Sequence, residues 1–76
     1  MKLRTDISLV EFLRQAGDCR DNVYFETPEG DRLNIKSQLS KFVFLAAVSA
    51  EEDVIRNGEI VFDDEQDREL LKLYLA

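Results

Sequence analysis

The chain has 76 residues, enough for one small domain spanning 1–76, and a chain of that size buries only roughly 60 % of the surface that its unfolded form exposes. Sixteen acidic residues against ten basic ones give a net charge of −6, with 45 % hydrophobic residues. This is the composition of an ordinary globular protein, and its acidity speaks against non-specific binding to nucleic acid or anionic membranes, both of which need a basic patch.

A single cysteine, Cys19, allows no intrachain disulfide. The lack of histidine removes the usual zinc ligand set and the commonest general base at neutral pH. No stretch reaches the ~20 apolar residues that span a bilayer. The amino-terminal residues Met1 to Asp6 contain no apolar signal segment, so a cytoplasmic location is expected. No cofactor and no metal site is expected.

Taken in order, Thr5 to Gly17 predicts the first helix. Ser8 and Glu11 match a capping box, in which each side chain bonds the other's backbone N–H. Leu9, Phe12, Leu13 and Ala16 repeat at helical spacing and form its core face. Gly17 fits the left-handed residue that stops a helix. Asp18 to Asp21 then reads as a polar loop holding Cys19, which is expected to be a packing residue, since a reactive thiol needs more than one neighbouring arginine.

Asn22 to Lys36 predicts a β-hairpin. Val23, Phe25 and Thr27 alternate with Tyr24 and Glu26, and Pro28-Glu29-Gly30 supplies a three-residue turn with Gly30 left-handed. Pairing Thr27 with Asp31 sets Phe25 opposite Leu33 and Val23 opposite Ile35 on one face. Glu26 then meets Arg32, Tyr24 meets Asn34 and Asn22 meets Lys36 on the other.

Ser37 to Val48 is the most apolar run and predicts a central helix with Ser37 as its cap. Leu39, Phe42, Val43 and Ala46 fall at i, i+3, i+4 and i+7, one face of a helix, expected to be its core face. Phe44 and Val48 form a second ridge nearly opposite, so the helix is apolar nearly all round and expected to be buried; packing of that ridge under the first or last helix is preferred to a subunit interface there. The expected core comprises Leu13, Phe25, Leu33, Phe42, Val43, Ile60 and Leu71, and Phe42→Ala is expected to cost about 3–5 kcal/mol.

Ser49 with Glu52 is another capping-box match, and Glu51-Glu52-Asp53 suits a helix amino end. A short helix ending at Asn57-Gly58 is therefore preferred to a strand at Val54-Ile55. Glu59 to Phe62 reads as a strand. Asp63 or Asp64 caps a last helix running to the end of the chain, with Leu70, Leu71, Tyr74 and Leu75 buried. The order is α-β-β-α-β-α: an α+β fold with a three-stranded sheet, a β-hairpin plus one strand, packed with helices. The second and third strands are joined through the central helix and should run parallel by a right-handed crossover. The sequence leaves open whether the first strand lies between them.

The stretch from Val23-Tyr24 through Thr27-Pro28-Glu29-Gly30-Asp31-Arg32-Leu33-Asn34-Ile35-Lys36-Ser37-Gln38-Leu39-Ser40 resembles a family of short bacterial proteins that carry the label polyA polymerase. The closing run Asp63 to Leu71 resembles the end of the same family. The resemblance implies a small α+β protein and, through the label, nucleotidyl transfer. Such transferases hold metal ions with an Asp-x-Asp pair on one face of a strand, behind a Gly-Ser pair that grips phosphate. This chain has no Gly-Ser pair, and Asp63-Asp64 are adjacent, so a strand would point them to opposite faces.

The expected function is therefore a non-enzymatic interaction or regulatory module, because no nucleophile motif, metal set or phosphate loop is found. The alternative is a small ligand-binding or metal-assisted nucleotidyl- or phosphoryl-transfer protein. A protein partner is expected on the polar hairpin face, at Tyr24, Arg32, Asn34 and Lys36, a locally positive surface suited to an acidic partner. Lys36 and Ser37 form a weaker candidate for an anion at the helix start. Asp63-Asp64-Glu65-Asp67 could offer oxygen ligands to a hard cation, but a cap with a dipole-matched first turn is preferred. A weak homodimer through the central and last helices is also expected.

Overall fold

The hairpin turn sets the register of the sheet. In the computed structural model, which describes residues 1–50 and 53–76, Gly30 adopts φ 96°, the left-handed conformation the turn requires. The Thr27 N–H donates to the Asp31 carbonyl at 2.9 Å, and the Thr27 hydroxyl accepts from the Asp31 N–H. Strand β1 (Val23–Glu26) pairs antiparallel with β2 (Arg32–Asn34), with Phe25 opposite Leu33, Tyr24 opposite Asn34 and Glu26 opposite Arg32. The Ile35 N–H continues the ladder to the Val23 carbonyl.

Strand β3 (Glu59–Phe62) pairs with the other edge of β1, also antiparallel, so the order is β2-β1-β3. The first strand lies in the middle. Both outer strands oppose it, so they run parallel to each other, as a connection through a helix requires.

Helix α1 (Leu9–Ala16) is capped by Ser8, whose hydroxyl accepts from the Glu11 N–H at 3.3 Å. Its inward residues Phe12, Leu13 and Ala16 are buried. The helix starts later than Thr5. Gly17 has φ −62°, so it is not the left-handed stop expected; the chain leaves through turns in which Asp18 and Cys19 bond back to Gln15 and Ala16.

Helix α2 (Gln38–Ala50) lies against β2, and it is rotated relative to the sequence expectation. Phe44 is fully buried, its ring 4.9 Å from that of Phe25 in an edge-to-face contact. Leu45 and Val48 pack beside it. Leu39, Phe42 and Val43 are exposed at 74 %, 61 % and 47 %, and Ala46 is exposed with them. The expected core face thus points outward, and the ridge read as secondary holds the helix down. The cause lies in the hairpin. Phe25 and Ile35 need an apolar cover, and Phe44 with Val48 supplies it while leaving room for the half-buried stem of Lys41.

Helix α3 (Asp53–Asn57) is the short helix preferred to a strand at Val54-Ile55, and it ends with the Gly58 N–H bonded to the Val54 carbonyl. The Ser49/Glu52 capping box and the acidic pair Glu51-Glu52 fall partly or wholly outside the described residues. Helix α4 (Asp67–Leu71) begins after Asp64, whose carboxylate accepts from the Gln66 N–H in the preceding turn. It does not continue to the end of the chain: a 3₁₀ turn (Lys72–Tyr74) follows, and Leu75 then extends to bridge Leu3. Of the expected core, Leu13, Phe25, Ile60 and Leu71 are buried, Leu33 is half-buried, and Phe42 and Val43 are exposed. Leu70, assigned to the buried face of the last helix, is 40 % exposed, while Leu71 and Leu75 are buried.

Candidate functional site

Register places Tyr24, Arg32 and Asn34 on the outward face of the sheet, as the sequence implied. The Arg32 guanidinium lies 4.0 Å from the centre of the Tyr24 ring and 2.7 Å from the Glu26 carboxylate. The Tyr24 hydroxyl donates to Asp63 at 3.3 Å, and the Asn34 amide donates to the Asn22 side chain at 3.2 Å. Strand β3 adds Val61 beside Tyr24 and Glu59 beside Glu26. The face therefore carries its own counter-charges rather than forming a cationic patch. No Cβ-level packing by a helix is needed to satisfy it, because each polar group already has a neighbour.

Lys36 does not join these three. Its amine donates to the Cys19 carbonyl at 2.6 Å, and its backbone N–H is taken by the Asn34 side chain. Ser37 is exposed, its N–H bonded to the Asn34 carbonyl. The pair considered for an anion thus has its amine turned away from the start of α2.

The acidic run is dispersed among separate tasks. Asp63 accepts from Tyr24, Asp64 holds the turn before α4, and Glu65 pairs with Arg68. Asp67 is 4 % exposed and accepts from the Arg20 and Asp21 N–H groups, both at 2.9 Å. With Lys36 on the other side, it clamps the Cys19 loop to the body of the fold. The sequence marked Asp67 as a first-turn acid and a possible cation ligand but not as a clamp, because its partners are backbone groups almost fifty positions away and any loop offers such groups. Among the described residues, no group of three or more metal-ligating side chains occurs.

Burial of Asp67 disfavours its charged form, but the two backbone donors and the nearby Lys36 and Arg20 charges outweigh it and hold its carboxyl below the usual value. A depressed carboxyl contributes stability that is fully present above the unfolded-state value near ~4, and lost as pH falls through the folded-state value. Asp67→Asn is therefore expected to cost about 1–3 kcal/mol at pH 7 through its mismatched amide group. The deficit relative to wild type should shrink as acid protonates the wild-type carboxyl, which urea melts at pH 7 and below pH 4 would measure. Cys19 is buried beside this clamp. Burial, with Asp67 and Asp18, pushes its thiol up to about 11 against the opposing charge of Lys36, so it stays protonated at neutral pH.

Among the described residues, a concavity of about 80 Å³ between the hairpin turn and α3 is lined by Thr27, Pro28, Glu29, Asp53, Val54 and Asn57. Another, about 310 Å³, is lined by Thr5, Val48, Ile55 and Arg56.

Among the described residues, the outer side of α2 brings three exposed large apolar side chains onto one helix face. Leu39, Phe42, Val43 and Ala46 stand at i, i+3, i+4 and i+7 and are all exposed. The sequence found these four as a group but assigned them to the core. Among the described residues, no helix is long and apolar enough to cross a membrane. Compared with family models, curated proteins and solved structures, the chain matches none.

Proposed function

We propose that the protein is a non-enzymatic, cytoplasmic interaction module that docks a protein partner on the outer face of α2. The observation that carries this reading is the exposure of Leu39, Phe42 and Val43 at 74 %, 61 % and 47 % on one helix face. Single exposed apolar residues are ordinary, whereas large apolar side chains grouped on one face are where interaction surfaces are found. Covering a large apolar side chain yields about 1.5–3 kcal/mol, so three of them supply enough to drive association. An apolar helix face is also a standard means of docking against another protein. The polar hairpin face is the less favourable surface, because Arg32 is already engaged by Glu26 and Tyr24.

The test is site-specific crosslinking. A photoreactive phenylalanine analogue is placed at position 42 or at position 24 and irradiated in living cells. An adduct from position 42 and none from position 24 is expected. Adducts only from position 24, or from neither, overturn the assignment.

A further inference from the structure

We infer that the outer face of α2 docks against the same face of a second copy of this chain, with the two helices antiparallel about a twofold axis. The inference rests on the reading of that face as a docking surface and names its occupant.

Three observations point to a second copy. The first is symmetry within the stripe. The midpoint between positions 39 and 46 coincides with the midpoint between 42 and 43. A twofold axis there sets Leu39 of one copy against Ala46 of the other, and Phe42 against Val43. Large side chains then meet smaller ones all along the seam, the arrangement that fills space between packed helices without voids or clashes. Every contact occurs twice, as an isologous interface demands.

The second observation is charge. The molecule carries −6 overall, so self-association opposes like charges wherever acids face each other. The seam is free of them: its four residues are apolar, and Gln38 and Ser49, which flank it, are uncharged and exposed. The one charged residue of the helix, Lys41, lies on the opposite side and is half-buried toward Gly17. A face meant for a foreign partner commonly carries charges that reject wrong ones, and this face has none.

The third is area. Three large side chains exposed at 74 %, 61 % and 47 % supply only part of the roughly 800 Å² per partner of a standard stable interface. The dimer is consequently weak and concentration-dependent, and the monomer folds without it because Phe44, not the seam, anchors α2.

Sedimentation equilibrium of the purified full chain over a wide concentration range tests this. Wild type should associate reversibly to a dimer. Leu39→Ala leaves a void opposite Ala46, and Ala46→Leu sets two leucines against each other. Each should weaken the dimer by roughly tenfold or more, since both changes occur twice per interface. The double exchange, Leu39→Ala with Ala46→Leu, restores large against small and should recover most of the loss. Circular dichroism should show all variants folded, because both positions are exposed.

A dimer that the double exchange fails to rescue overturns the antiparallel seam. Wild type that stays monomeric throughout overturns the second-copy inference. In that case, an adduct from position 42 to a different protein leaves the docking face standing, whereas no adduct removes both.

Discussion

Phe44→Ala is expected to destabilise the protein by about 3–5 kcal/mol, whereas Phe42→Ala, two residues away on the same helix, should change stability by less than about 0.5 kcal/mol. Phe44 has no exposed surface and meets Phe25 edge-to-face with ring centres 4.9 Å apart. Its removal forfeits the transfer of a whole ring from water and leaves a cavity over the centre of the sheet. A domain of this size has a total stability of only roughly 4–11 kcal/mol, so the change removes a large share of it. Phe42 is 61 % exposed and contributes little to the monomer. Urea melts at low protein concentration, where any dimer is dissociated, separate the two. If Phe42→Ala proved the costlier change, α2 would have to be rotated by about half a turn from its position here.

Gly58→Ala is the second large effect expected, at about 1–3 kcal/mol or more. Gly58 is buried at the junction of α3 and β3, and a Cβ there would lie 2.1 Å from Phe25 Cζ and 2.4 Å from its Cε1. Contacts that short do not occur, so the ring must move. Phe25 cannot swing away freely, because it is 1 % exposed and held against Phe44. The loss should appear as a fall in Tm of roughly 4–8 °C per kcal/mol. In a Phe25→Leu background the same Gly58→Ala change should cost less, because the ring that it strikes is gone. Additive effects in that double-mutant cycle would show that the clash is not the cause.

The hairpin was legible because three independent constraints gave one register: the turn at Pro28–Gly30, the alternation of Val23 and Phe25, and the pairing of Glu26 with Arg32. The central helix was legible as a helix but not in its rotation. Both of its sides are apolar, and the four-residue run at helical spacing reads more like core than the two-residue ridge of Phe44 and Val48, beside which Lys41 lies. A lysine stem can lie along an apolar surface with its amine in water, so one charge is a poor guide to which side is buried. What decided the matter was the shape of the sheet face over Phe25, a tertiary fact absent from the local pattern. The same holds for Asp67, whose backbone partners at Arg20 and Asp21 leave no periodicity to read. The last helix was drawn too long because Leu71, Tyr74 and Leu75 fit a helical stripe, while Leu75 in fact extends to meet Leu3. The outer face of α2 was thus found as a set of residues, and its role changed when the helix turned.

The bridge between Leu3 and Leu75, flanked by bonds from the Arg4 N–H to the Tyr74 carbonyl and from the Ala76 N–H to the Lys2 carbonyl, also bears on synthesis. A ribosome releases residues in order, so Leu3 emerges first among these and waits for almost the whole chain before its partner exists. The middle strand of the sheet waits too, with one edge open until Glu59 to Phe62 arrive. During that interval α2 can already cover the hairpin through Phe44 and Phe25, while the β3 edge of the middle strand stays open. Closure of the sheet by β3 and of the Leu3–Leu75 bridge is consequently a late event in synthesis, and until then the open edge of β1 is the surface that needs shielding.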